Sequence, residues 1–312
     1  MAYPIEKKLV VAVSSSAVFD MAAADAIYRK EGDDAYRKHQ LENLDIPFEK
    51  GVAFPFIKRL LGLNSAYTKE EPVEVIVLSR NDPDSGRRFF RSCQHYGLKI
   101  TRGAFLTGKT PFNYIPAFNA SLFLSANKED VTDAVNAGMP AGLVLPTSIK
   151  RDDDNDRELR VAFDFDGVVA DDEAETVYHE TQNLELFHAA ELKKFRTPHN
   201  PGPLKDLITK MAYFQKLEAK KAAQNLGYKP ALRVAIVTAR DYPSNERLVT
   251  TLNSWGLTAI EAFFMGGIEK KRVLDVLKPH IFFDDQLQHL EPTAATLPSV
   301  HIPFGVKNRA KS

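Results

Sequence analysis

The chain has 312 residues, 44% hydrophobic and 26% charged, with 41 basic against 41 acidic side chains and no net charge at neutral pH. That length carries two domains of ordinary size, each with its own core, and the charge balance excludes the broad basic face that nucleic acid needs. A single cysteine, Cys93, excludes an internal disulfide framework and fits a reducing cytoplasm, and no apolar run approaches the length of a membrane span.

In chain order, the first element is LVVAVSSSAVFD, Leu9 to Asp20. Lys7 and Lys8 before it and MAAADA after it imitate a secretory signal, but the apolar run is short and broken by three serines, so it reads as a buried strand ending in Ser14-x-Ser16. A helical insertion over about residues 20–72 follows, with GVAFPFIKRLL starting at Gly51. VEVIVLSRND from Val73 is a second strand, an amphipathic helix runs to about Gly97, and SLFLSAN from Ser121 is a third buried run. RDDDNDREL, Arg151 to Leu159, reads as a solvated joint.

The second half repeats this order. RVAFDFDGVVADDE begins at Arg160, a helical insertion covers about residues 171–231 with GPLKDLITKMAYF from Gly202, RVAIVT ends at Thr238, a helix runs to about Gly256, and HIFFDDQ starts at His280. At a constant offset of 159 positions VEVIVLSRND lies on LRVAIVTARD, HYGL on SWGL, AFLTG on FFMGG and SLFLSAN on HIFFDDQ. Apolar runs, glycines and polar strand ends stay in phase, which is the signature of an internal repeat. Strands alternating with helices predict an α/β fold of parallel sheets, with ligands at the carboxyl ends of the strands. The expected division is residues 1–150 and 151–312, each half with an insertion that hangs over the strand ends as a cap.

The acids are unequally shared. Asp164 and Asp166 stand where the first half has Ser14 and Ser16, and Asp284 and Asp285 stand where it has Ser125 and Ala126. Two carboxylates one residue apart at a strand end suit phosphoryl transfer through a covalent intermediate: Asp164 as nucleophile, Asp166 as the acid for the leaving oxygen and the base for water. Gly167 permits the sharp turn that brings amides to a phosphate. Thr238 offers a hydroxyl and an amide to the same phosphate. Lys270, on the face of its helix shared with Leu274 and Leu277, can neutralise phosphate and Asp164. Adjacent Asp284 and Asp285 after an apolar strand call for a bound cation, and Mg²⁺ answers this, with Asp284 as direct ligand and Asp285 supporting the site or orienting Lys270. The serines of the first half cannot hold such an ion.

DFDGV, the VAIVT strand, a lysine opening a later helix and a strand-terminal DD resemble the four motifs of the haloacid-dehalogenase-like phosphohydrolases. SSSAVFD, GVAFPFIKRLL, LSRNDPDSG, HYGLKITRGAF, AFNASLFLSAN, VTAR, SWGL and PHIFFDDQ further resemble the cytosolic 5′-nucleotidases of type I, the AMP-preferring group. The internal repeat, taken with this resemblance, reads as two tandem Rossmannoid halves, only the second competent, and the resemblance implies a cytoplasmic Mg²⁺-dependent hydrolase of nucleoside 5′-monophosphates such as AMP or IMP. It carries catalysis to Asp164 and Asp166, phosphate binding to Thr238 and Lys270, and metal binding to Asp164, the Asp166 carbonyl and Asp284. A phosphatase of sugar phosphates and a nucleotide-sensing module without activity are the competing readings. No membrane or nucleic-acid partner is expected; a nucleotide effector and a homo-oligomer stay open. In the first half Arg80, Asn81 and Asn127 line a strand-end crevice that is either scaffold or a second, non-catalytic nucleotide site.

Overall fold

The computed structural model describes residues 3–147, 153 and 155–309. Arg151 and Asp152, with Asp154, of the expected joint lie outside the described residues. The chain divides near Pro146 into two compact units.

In the first unit, β1 (Leu9–Val13) is wholly buried and leads into a one-turn helix, α1 (Ser15–Val18), whose Ser14 cap accepts from the Ala17 amide at 3.2 Å. β2 (Phe19–Asp20) pairs antiparallel with β3 (Glu49–Lys50), and between them runs α2 (Ala22–Glu42), kinked at Gly32. α3 (Phe54–Gly62) returns with Phe54, Phe56, Ile57 and Leu60 buried and packs against β4 (Val73–Ser79). α4 (Pro83–His95), β5 (Gly103–Phe105), β6 (Leu122–Ser125), α5 (Lys128–Asn136) and β7 (Ala141–Val144) complete it. The strands are parallel in the order β7-β6-β1-β4-β5. The near-continuous apolar runs of β1, β4 and β6 are those of strands covered on both faces.

The second unit contains β8 (Leu159–Phe163), α6 (Glu173–Thr181), α7 (Leu184–Lys193), α8 (Lys205–Gln224), β9 (Leu232–Thr238), α9 (Asn245–Ser254), β10 (Glu261–Phe264), α10 (Lys270–Leu277), β11 (Ile281–Asp284), α11 (Leu287–Ala294) and β12 (Ser299–His301). Its parallel order, β12-β11-β8-β9-β10, matches that of the first unit strand for strand. The strand ends match as well: Ser79 closes β4 as Thr238 closes β9, and Ser125 closes β6 as Asp284 closes β11. The helices before β5 and β10 stop alike, with Leu98 bonded to the Cys93 carbonyl and Leu257 to the Leu252 carbonyl around glycines at φ +68° and +70°.

Two expectations are corrected. Three strands per unit were expected and, among the described residues, five stand in the parallel sheet of each, because β5 and β10 are half-exposed and β7 and β12 are only four and three residues long. The cap excursions are also shorter than residues 20–72 and 171–231. They close at the β2–β3 pair and at the Ala170–Pro201 bridge, after which α3 and α8 pack against β4 and β9. Gly202 makes the second closure feasible, since a Cβ there would stand 2.2 Å from the Ala170 carbonyl oxygen. The excursions proper are therefore α2 and the α6–α7 pair.

Candidate active site

β8 ends at Phe163, and Asp164 follows with its amide bonded to the Phe283 carbonyl on β11 at 2.7 Å. This fixes the Asp164 backbone beside the end of β11. Its Oδ1 accepts from the Phe165 amide at 2.7 Å. Lys270, the first residue of α10, places Nζ 2.7 Å from Asp164 and 2.7 Å from Asp284. Asp164, Lys270 and Asp284 are all buried. His289, one turn into α11, brings Nδ1 to 3.3 Å from Asp284.

Burial is the largest influence on Asp164 and pushes its carboxyl up to about 6, with the Asp284 and Asp166 charges adding to it against the pull of Lys270. Burial also pushes Asp284 upward, but Lys270 and His289 outweigh it and hold this carboxylate below the ordinary value. Burial alone would lower Lys270, and the two carboxylates override it, so the ammonium is retained. The trio is a carboxylate–ammonium–carboxylate bridge in a nearly dry site.

Asp285 was expected to support the site or to orient Lys270; the hydrogen-bonded partners of Lys270 are Asp164 and Asp284. The Asp285 carboxyl is buried and faces Glu175 in a carboxyl–carboxyl hydrogen bond, with no other hydrogen-bond donor to its oxygens among the described residues. Burial, then Glu175, Asp164 and Asp284, push this carboxyl well above the ordinary value. Glu175, on α6, is pushed up to about 8 by burial and by Asp166 and Asp164. The loop after Asp166 lies against Asp285 so closely that a Cβ on Gly167 would stand 2.7 Å from its Cγ, and Gly167 has φ +70°.

Such a concentration of buried carboxyl groups against one ammonium is costly unless a cation joins it. Ligating atoms of Asp164, Asp284 and His289 lie within 4.8 Å of one another, and the buried Asp285 carboxyl, within the field of Asp164 and Asp284, adds to the same cluster. Oxygen-rich donors of this kind fit a hard divalent ion. His289 and Glu175 were missed from the sequence because neither stands in the motifs; only the packing of α11 and α6 brings them in.

Strand alternation would point Asp166 the same way as Asp164. Asp166 lies past the end of β8, in the turn, where that rule does not operate, and its carboxylate is held in a fork by Arg240: Nε to Oδ2 at 2.8 Å and Nη2 to Oδ1 at 2.7 Å. Arg240 also donates to Glu191 on α7 and to the Ser244 carbonyl at 2.9 Å. Glu191 accepts from Arg247 at 2.9 Å and faces His199 Nε2 at 3.2 Å, and Arg247 reaches Glu173 on α6 at 2.7 Å. Burial opposes the charge on Glu191, yet His199 and Arg240 bring it down to about 2. A buried ionic network thus ties the α6–α7 excursion to Asp166. Arg240 follows Thr238 by two residues and looks like an ordinary strand-end arginine in sequence; nothing local marks it as buried. Thr238 itself is buried at the end of β9, its Oγ1 accepting from the Arg240 amide at 3.3 Å.

In the first unit Arg80, Asn81 and Asn127 line a cavity of about 450 Å³ together with Ser14, Ser16, Ser79 and Ser125.

The sequence model of the 5′-nucleotidase family matches residues 1–309. The chain belongs to the 5′-nucleotidase family. Among curated proteins, cytosolic 5′-nucleotidase 1B of Homo sapiens is 34% identical over 289 residues, 91% of this chain and 47% of that protein. The chain therefore spans about half the length of the curated relative it matches. As a 5′-nucleotidase family member it has an α/β fold built on parallel strands, and among its described residues no helix is long and apolar enough to cross a membrane.

Proposed function

We propose that the second unit hydrolyses nucleoside 5′-monophosphates, AMP- or IMP-like, to nucleoside and phosphate in a cytosolic setting. The observation that carries this reading is Lys270 between Asp164 and Asp284, all three buried, in a chain of this family. The name of the human relative supports the cytosolic setting and the substrate class.

In the first step a carboxylate oxygen of Asp164 attacks phosphorus, the bond from phosphorus to the 5′ oxygen breaks, and that oxygen takes a proton from Asp166. The product is nucleoside and a phosphoryl group on Asp164. In the second, Asp166 takes a proton from water, the hydroxide attacks phosphorus, and Asp164 leaves as carboxylate with inorganic phosphate released. Lys270 and Thr238 bind the transferring phosphoryl oxygens, where fixed donors stabilise developing charge. Both oxygens of Asp166 are engaged by Arg240, so one has to leave the fork to reach a leaving group. Asp164, the Asp166 carbonyl and Asp284 would hold Mg²⁺, with Asp285 beside them, and the bound ion supplies the positive charge that screens substrate phosphate from these carboxylates.

The first unit is read as a silenced copy of the second. The matching strand order supports an internal duplication, and serines at positions 14, 16 and 125 leave it without the acids of the reaction. The test is phosphate release from AMP, IMP, dTMP and glucose-6-phosphate by the chain and its Asp164→Asn variant. Nucleotide turnover that vanishes in the variant is expected. Equal turnover of glucose-6-phosphate would favour a sugar-phosphate phosphatase, and near-full activity of Asp164→Asn would overturn the mechanism.

A further inference from the structure

The first unit has its own cavity at the ends of β1, β4 and β6, under α2. Its volume of about 450 Å³ is that of a small-molecule site. Three floor carboxylates have become hydroxyls, Ser14 for Asp164, Ser16 for Asp166 and Ser125 for Asp284; Ser79 keeps the hydroxyl of Thr238, and Ala126 replaces Asp285 with a methyl group. The position of His289 is taken by Asp130, and a cation already sits on it. Arg80 donates from Nε at 2.9 Å and from Nη2 at 2.6 Å, both to Asp130 Oδ1, and Thr110 adds a hydroxyl at 3.0 Å.

The second unit gathers carboxyl groups that call for a divalent ion. The first sets a bed of hydroxyls beside the Arg80–Asp130 pair, and its lining also carries Asp25, Asp33 and Asp82 with Arg29 and Arg37, of which Arg37 pairs with Asp82 at 3.4 Å. Ser14 and Ser16 lie 3.2 Å apart, and Ser15 donates to Ser79 at 3.1 Å. Such hydroxyls pair with one another when nothing is bound and can turn their protons to an anion when one arrives. The Arg80 side chain is 35% exposed and lines the cavity, so its charge is available there.

The opposite wall differs in chemistry. α2 contributes Tyr28 and Tyr36, their rings 6.0 Å apart and edge to face, with the acceptors Asp25 and Asp33. Tyr36 is buried with its hydroxyl toward the Gln40 side chain, and the residue lines the cavity. Hydroxyl and guanidinium donors suit a phosphate, carboxylates suit ribose hydroxyls, and aromatic faces suit a base. One ligand class combines the three.

We propose that the cavity of the first unit binds a nucleoside 5′-monophosphate without a metal ion, its phosphate on Arg80 and the serine floor and its nucleoside against Tyr28 and Tyr36. The guanidinium donors that Arg80 does not spend on Asp130 meet the phosphate there, where the second unit calls for a divalent ion. The proposal stands whether or not the second unit is a catalyst.

The test is calorimetric titration of the whole chain, as Asp164→Asn to exclude turnover, in excess EDTA. AMP, adenosine and inorganic phosphate are titrated separately. AMP should bind, with adenosine and phosphate each at least about tenfold weaker, the loss expected when a charge-assisted contact goes. Arg80→Ala should weaken AMP about tenfold. Tyr28→Phe and Tyr28→Ala form the second pair: the residue is half-exposed on α2, so neither threatens the fold, and the alanine variant should weaken AMP more than the phenylalanine variant. No AMP binding in EDTA would overturn the proposal. So would binding lost in Asp284→Ala but kept in Arg80→Ala and Tyr28→Ala, which would assign the ligand to the second unit. Inorganic phosphate binding as tightly as AMP would overturn the nucleotide class.

Discussion

Replacing Arg240 with alanine probes the buried network directly. Its guanidinium gives Asp166 two hydrogen bonds, at 2.8 and 2.7 Å, bonds the Ser244 carbonyl at 2.9 Å and contacts Glu191. Its side chain is 2% exposed and that of Glu191 3%. The variant leaves two buried carboxylates short of their common cation. Removing one partner of a buried ion pair costs about 3–5 kcal/mol, because the remaining charge is stranded. At about 2–4 °C of melting temperature per kcal/mol for a unit of this size, the expected fall is about 6–20 °C. The assay is urea unfolding and thermal melting of the single variants Arg240→Ala and Asp166→Asn and of the double variant. Once Arg240 is absent, neutralising Asp166 relieves the stranded charge, so the double variant should be more stable than the sum of the singles by about 1.5–3 kcal/mol. Arg240→Lys keeps the charge and loses the planar fork, so it should recover stability in part. With Asp166 no longer positioned, kcat should fall about 10–100-fold with a smaller change in KM. Additivity within about 0.5 kcal/mol would refute the reasoning, as would a melting point unchanged in Arg240→Ala.

Further outcomes concern the carboxyl cluster. Asp164 is raised from 3.8 to about 6 and Glu175 from 4.5 to about 8; groups raised in the fold stabilise it when protonated, so that stability is lost as pH climbs from about 4 to about 8. Glu191, depressed to about 2, acts in the opposite sense and only below this window. Melting of the metal-free chain should therefore move down between pH 5 and 8, and added Mg²⁺ should raise it more at pH 8 than at pH 5; an upward trend without metal contradicts the assignment. Gly167→Ala combines φ +70° with a Cβ 2.7 Å from the Asp285 Cγ, so turnover should drop sharply and stability by about 1–2 kcal/mol or more; wild-type behaviour would mean that the turn relaxes freely. Asp284→Ala should weaken Mg²⁺ binding, read by calorimetry, more than Asp285→Ala does, and the reverse order would move the ion to Asp285.

Local pattern was enough for much of this protein. Buried parallel strands are apolar along their whole length, so LVVAV, VEVIVLS, RVAF and HIFFD declare themselves, and the polar residue that ends each run marks the face where ligands meet the sheet. The offset of 159 positions and the exchange of acids for serines were equally readable, since they need only the order of residues. Edge strands β5 and β10 were not, because a strand buried on one side and only three or four residues long has no distinctive period. Nor were the partners of the acids. That Lys270 reaches both Asp164 and Asp284, that Asp285 meets Glu175, and that Arg240 takes Asp166 depend on how α6, α10, α11 and the turn after β8 pack. Charge in a sequence carries no record of burial. Only the assembled core decides which carboxylates lose water, and so which need an arginine, a lysine or a metal ion beside them.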